Sequence, residues 1–236
     1  GGHRFWIAPE EKPKTYELDN TPIEIEKTAT GIRTVQPIGS LSGIQKYMDI
    51  SLSKRRNEVR IVHTLVNRSK RPADVSPWAL SVMATEGTAI IPLPKKISHT
   101  KRLTHNQEWS LWGYTDLTDP RWTLGPQYIQ FRQDPKRGPN KIGIAVKEGW
   151  VAYHLKHFLF VKKFKWQDGA VYPDGGVNFE TFSNEEFLEL ESLGPLIRLN
   201  PGENVSHEET WLLHKGVTGV KTEKDIEQKV LPRVKK

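Results

Sequence analysis

Cysteine is absent from the 236 residues. That excludes disulfides, thiolate zinc sites and cysteine nucleophiles, and it suits an oxidising compartment without requiring one. No apolar run reaches the length of a membrane span. No signal-peptide pattern is visible, but the chain opens at Gly1 without a methionine. A periplasmic or secreted location, with the export signal trimmed from this chain, is therefore the expectation. There is no Gly-x-Ser-x-Gly elbow and no glycine-rich phosphate loop ahead of a helix, so the usual serine-hydrolase and nucleotide chemistries find no support. Internal repeats and low-complexity tracts are missing too.

What the chain has is hydrophobic content of 36%, eight tryptophans and a net charge of +7. This suffices for a core in one all-β domain spanning 1–236. The positive charge is scattered: Lys54-Arg55-Arg56, Arg68 to Arg71, Lys162-Lys163 and Arg233 to Lys236. Scattered basic turns give solubility and a general attraction to anions, so a nucleic-acid partner is not expected.

Short strands separated by turns dominate. "MDISLS" (48–53) alternates, "KRRN" reads as a hairpin turn, and "EVRIVHTLV" (58–66) is apolar on both faces, as a central strand is. "NRSKRPADVSP" (67–77) reads as a loop. "WALSVMA", "TAIIPL", "YIQFRQ", "KIGIAV", "GWVAYHL", "LFVKKF", "FLELES" and "SHEETWLLH" read as further strands. Residues 94–126 form a long aromatic loop, a feature that is often functional. Only "TEKDIEQKVL" (222–231) reads as helix, with Thr222 as N-cap, Asp225 three residues on, and Pro232 ending it.

The eight histidines give no strong zinc pattern. His154 and His157 fall on opposite faces of a strand, while His207 and Glu209 share one. Scattered, hydrogen-bonded histidines are the preferred reading, with no metal and no cofactor. Glu189 and Glu191 alternate with Leu188 and Leu190 and read as a solvent face. Glu180 differs, because it sits in "VNFETFS" among Phe179, Thr181 and Phe182, with Asn178 and Phe182 on its own face. A carboxylate there is either a buried acid paired with a cation, Lys162 being the candidate, or a proton-transfer group of raised pKa. Trp78, Trp109, Trp112, Tyr114, Trp122 and Arg121 cluster near loops. Each tryptophan alone is a core residue; together, at least two are expected to line a ligand pocket.

Three segments resemble the galactose mutarotase (aldose 1-epimerase) superfamily. "YPDGGVNFETFSN" looks like the strand that carries the family's catalytic glutamate. "LNPGENVSHEETWLLH" resembles its Pro-Gly-Glu turn and final strand, and "NEVRIVHTLVNRSKRPADVSPWAL" its long central strand, turn and following strand. "GGHRFWIAPE" also resembles the opening of an uncharacterised bacterial group within the superfamily. The resemblance implies a β-supersandwich with a carbohydrate site on its concave face and Glu180 as general base. The family's proton-donating histidine is replaced: Pro77-Trp78 stands where mutarotases have Asn-His. Lys162, His3 or Tyr172 is the expected substitute acid. His3, Arg4, Trp78, Trp112, Tyr114, Arg121 and Asn178 are expected to bind substrate, the arginines suiting an acidic sugar. Two other outcomes are weighed beside an epimerase. One is a carbohydrate-binding module without catalysis. The other is a polysaccharide lyase drawing on Tyr153, Tyr172, Lys162 and Arg121.

Overall fold

A computed structural model describes residues 2–235. In chain order the strands are β1 (Gly2–Ala8), β2 (Glu24–Lys27), β3 (Gly31–Val35), β4 (Ile44–Leu52), β5 (Glu58–Asn67), β6 (Ala73–Met83), β7 (Thr88–Pro92), β8 (Trp109–Leu111) and β9 (Trp122–Leu124). They continue with β10 (Tyr128–Arg132), β11 (Asn140–Ile144), β12 (Trp150–Leu155), β13 (Phe158–Phe164), β14 (Phe179–Ser183), β15 (Leu188–Leu193), β16 (Ile197–Leu199) and β17 (Asn204–Lys215).

Two antiparallel sheets result. The smaller has seven strands in the order β1-β6-β15-β14-β11-β8, with β16 also paired to β6. The larger has ten, in the order β2-β3-β4-β5-β17-β13-β12-β7-β10-β9. Their facing sides interdigitate through Phe179, Leu190 and Ile142 from the smaller sheet and Phe131, Val151 and Phe164 from the larger. A second inter-sheet cluster joins Phe5 and Val75 to Ile44 and Leu65. This is the supersandwich expected from the resemblance.

The "ADVSP" segment is strand, not loop: β6 starts at Ala73, and Val75 to Ser81 are buried. The loop reading rested on its Pro, Asp and Ser. The proline is tolerated because Pro77 lies where β6 changes neighbours, between Leu193 at the end of β15 and Ile197 at the start of β16. Its carbonyl accepts from the Gly194 N–H at 2.9 Å. The donor that proline lacks would point to that same side, towards the Gly194 carbonyl, which accepts from Ser76 Oγ at 2.6 Å instead.

The C-terminal helix covers the far side of the larger sheet, with Ile226 and Val230 packed on Ile90, Leu159 and Val161. It begins at α2 (Glu223–Asp225), capped by Thr222 and Asp225 in a reciprocal box. Pro232 does not end it. A π turn over Ile226–Val230 carries the chain into α3 (Leu231–Val234), with the Leu231 N–H reaching back to the Ile226 carbonyl. Pro232 thereby falls in the first turn after a re-phased ladder, where its missing donor costs little.

Candidate functional site

Successive strand residues point to opposite faces. In β14, Phe179 enters the inter-sheet core, so Glu180 and Phe182 point to the outer face of the smaller sheet. Across the ladder Glu180 opposes Glu191 on β15 and Gly143 on β11. Lys141 on β11, Glu189 on β15, Leu80 and Trp78 on β6, and Arg4 and Trp6 on β1 share that face by the same register. The solvent-face reading of the acids on β15 therefore fails at Glu191, which is wholly buried. The outer face is covered here by the N-terminal segment after β1 and by the loop after β8.

Lys141 is the centre of this cluster. Its Nζ lies 2.6 Å from Glu180 Oε2 and 3.2 Å from Glu191 Oε2. The ammonium also sits over the rings of Trp78 and Trp112, 5.0 and 4.7 Å from their centroids. Trp78 Nε1 donates to Glu191 Oε2 at 3.0 Å. Trp6 meets Trp78 edge-on, and Tyr16 meets Trp6. Glu180 Oε1 and Glu191 Oε1 are buried and have no hydrogen-bond partner among the described residues. Burial, then the charge of Glu191, raises the pKa of Glu180 well above the carboxylate range, against the pull of Lys141. Burial and Glu191 likewise push Glu189 up to about 8. For Lys141 burial opposes the charge, but Glu191 and Glu180 outweigh it and hold the pKa above the usual lysine value. Tyr114 stands half-exposed at the rim. Burial raises its pKa, and the charges of Lys141, Glu191 and Glu180 act on it as well.

Backbone detail makes the close packing possible. A side chain at Gly143 would approach Trp112 Cη2 to 3.2 Å and Val177 Cγ2 to 2.9 Å. Before β14 the short turn α1 (Pro173–Gly176) holds Asp174 and Gly175 in left-handed conformations, φ 49° and 78°. Asp and Gly are the residue types that tolerate this. The Asp174 carbonyl accepts from Ser110 Oγ, which ties the turn to β8.

A second polar cluster is buried between the sheets. Lys162 on β13 is fully buried, and its Nζ bonds Glu209 Oε1 at 2.7 Å, the Ala79 and Leu190 carbonyls at 2.9 Å and Ser81 Oγ at 3.1 Å. Glu209 also accepts from Trp211 Nε1 and from Ser192 Oγ. Geometry assigns the histidine tautomers. His63 Nδ1 must donate to the His207 carbonyl, leaving Nε2 as acceptor. His3 Nε2, 2.7 Å away, is then the donor, and His3 Nδ1 accepts from Ser81 Oγ. His207 Nε2 donates to Ser192 Oγ at 2.6 Å. Burial lowers His3 and His207 to about 3 and lowers His63 as well. His3, His63 and Glu209 bring potential metal-ligand atoms within 4.8 Å of one another. Each of those atoms already has a partner, and the Lys162 ammonium stands beside Glu209 as the cluster's cation.

The residues picked out from sequence thus separate into three groups. Glu180, Trp78, Trp112 and Tyr114 come together on the outer face, with Arg4 exposed at its edge beside Glu189. Lys162 and His3 lie in the inter-sheet cluster instead, and the cation paired with Glu180 is Lys141, not Lys162. Arg121, Asn178 and Tyr172 are engaged in structural bonds. Arg121 clamps Asp119 and the Gly138 carbonyl, and Asn178 brackets the Val146 backbone. Tyr172 stacks on Trp166 and accepts from the Gln167 N–H. Trp122 stacks on Phe131 in the core. Lys141 and Trp6 are not singled out by the sequence, and Glu189 and Glu191 read there only as a solvent face. The available signal was a lysine in the otherwise apolar "KIGIAV", on the face it shares with Gly143.

No protein-family model matches the chain, and no curated protein matches it by sequence. Solved structures do. A proposed aldose 1-epimerase of Escherichia coli K12 superposes with a TM-score of 0.56 at 13% identity, over 88% of this chain and 75% of that one. A galactose mutarotase-like protein from Lactobacillus casei gives 0.54 at 9% identity, over 81% and 73%. A galactose mutarotase related enzyme from Lactobacillus acidophilus gives 0.54 at 11%, over 86% and 74%. The chain therefore has the galactose mutarotase-like fold.

Proposed function

We propose that the outer face of the seven-stranded sheet binds a sugar and interconverts its anomers, with Glu180 in the acid–base role. The observation that carries this reading is the pair of unpartnered, buried oxygens, Glu180 Oε1 and Glu191 Oε1, in a site walled by tryptophan. A buried carboxylate oxygen without a donor is costly. Sugar hydroxyls are donors, and the flat faces of Trp112 and Tyr114 suit the C–H faces of a pyranose. Removal of the anomeric hydroxyl proton with protonation of the ring oxygen opens the ring. Rotation about C1–C2 and reclosure give the other anomer.

The test is two-dimensional exchange NMR of the anomeric protons over a panel of aldoses. Exchange above the spontaneous rate, lost in Glu180→Gln, is the expected result; wild-type exchange at the spontaneous rate for every aldose removes the catalytic reading. A second reading, a binding module without turnover, is favoured by the Lys141 bridge between the two carboxylates, which is also how a purely structural ion triad is built. It predicts sugar-induced shifts without exchange. Of the residues that a lyase reading drew on, Tyr153 is engaged with Ala84 and Gly87, Tyr172 with Gln167, Lys162 with Glu209 and Arg121 with Asp119.

A further inference from the structure

We propose that Glu191 is the second catalytic residue, and that Glu180 and Glu191 work as a carboxylate–carboxylic acid pair holding one shared proton. The proposal rests on the anomer-interconverting reading above. Opening a pyranose requires two proton transfers at oxygens bonded to the same carbon: one proton leaves O1 and one arrives at the ring oxygen. A single glutamate supplies only half of this. The residues expected from sequence to supply the other half do not stand beside it. Lys162 and His3 are committed between the sheets, and the Tyr172 hydroxyl is committed to Gln167.

Glu191 is in place. It opposes Glu180 directly across the β14–β15 ladder, a relation that puts Cβ atoms roughly 4.5–5.5 Å apart. It is fully buried. Both side chains are anchored the same way, through Oε2 to the Lys141 ammonium, and both leave Oε1 without a partner. Two carboxyls beside one ammonium, removed from water, favour the form with one proton, so that charges balance. The elevated pKa of Glu180, caused by burial and then by Glu191, agrees with this. Lys141 itself is a poor acid, since its neighbours hold its proton more tightly than usual.

The step balances within the pair. The ionised carboxyl takes the proton from O1–H. The electrons of that bond form the C1=O1 double bond, the C1–ring-oxygen bond breaks, and the ring oxygen takes the proton of the protonated carboxyl. The pair ends with one proton, as it began, and reclosure on the opposite face of C1 runs the same transfers in reverse. Trp78 acts as a positioning residue. It stands where the resemblance leads one to expect a proton-donating histidine, and its Nε1 holds Glu191 Oε2 so that Oε1 stays free.

The experiment measures anomer exchange by NMR from pH 4 to 9 for wild type, E180Q, E191Q and W78F, with circular dichroism and thermal melts as folding controls. The expected wild-type profile is bell-shaped, because only the singly protonated pair is competent. E180Q and E191Q should each lose roughly 100-fold or more in kcat. Each should also lose one limb of the bell. W78F should remain folded and shift a limb of the profile with a smaller loss, roughly tenfold. A wild-type rate and profile in folded E191Q overturns the inference while leaving the function intact. If E191Q does not fold, an unshifted profile in W78F does the same. Spontaneous exchange in the wild type overturns both.

Discussion

At the scale of single residues, two buried lysine–glutamate centres among the described residues look alike in sequence and differ in kind. Lys162 meets four acceptors, and both oxygens of Glu209 have donors. That centre is closed, and its effect is on stability. Breaking one side of such a pair strands a buried charge, which costs about 3–5 kcal/mol. Lys162→Met should lower the urea midpoint accordingly, and adding Glu209→Leu should recover most of the loss; a double variant as unstable as the single one would contradict the pairing. Around Lys141, by contrast, two buried carboxylate oxygens have no hydrogen-bond partner among the described residues. The importance of Glu180 was legible in the sequence because an acid between two phenylalanines demands an explanation. Its partner was not: "KIGIAV" and "LFVKKF" both offer a lysine among apolar residues, and only strand order puts β11 beside β14 and β13 in the opposite sheet.

At the scale of elements, β11 is the strand that shapes the site. Gly143 lets Trp112 close over Lys141, and even a methyl group there would press on Trp112, Val177 and Ser110. Gly143→Ala should therefore tilt Trp112 away and weaken the proposed sugar binding by about tenfold, or about 1.4 kcal/mol, in titration calorimetry. Unchanged affinity would show that Trp112 is not part of the wall. Elements with a strong local signature were read correctly, above all the capped helix after Thr222 and the alternating strands. Those whose limits depend on a neighbour were not. β6 runs through "ADVSP" because β1, β15 and β16 offer it partners, and the helix passes Pro232 because a π turn re-phases it.

Over the whole molecule the two buried clusters respond to pH in opposite senses. His3, His63 and His207 are held neutral, with pKa values below 6.5 in the folded state. The unfolded chain then binds more protons below that point, so their contribution is present above pH 6.5 and is lost as pH falls towards about 3. His207→Gln keeps a donor for Ser192 and should flatten the acid limb of stability against pH by about 1.4 kcal/mol per pH unit. An unchanged slope in urea titrations would mean that His207 is not held neutral. Glu189, raised to about 8, acts the other way: its protonated form is favoured by folding, and that contribution fades from about 4.5 to 8. An acid-rich site of this kind also disfavours a uronate, whose carboxylate would meet Glu180, Glu189 and Glu191. This argues against the acidic sugar that the arginines had suggested.

The sequence by itself determined the strand-rich composition, the capped C-terminal helix and the unusual standing of Glu180 among phenylalanines. Each of these depends on residues close together in the chain, where alternation, capping and turn chemistry act. Only the tertiary structure decided that Lys141 and Glu191, rather than Lys162, His3 or Tyr172, stand beside Glu180. In a sandwich, register sets which side chains share a face, but the order of strands and the choice of sheet set which of them meet, and those follow from long-range packing that local pattern does not encode.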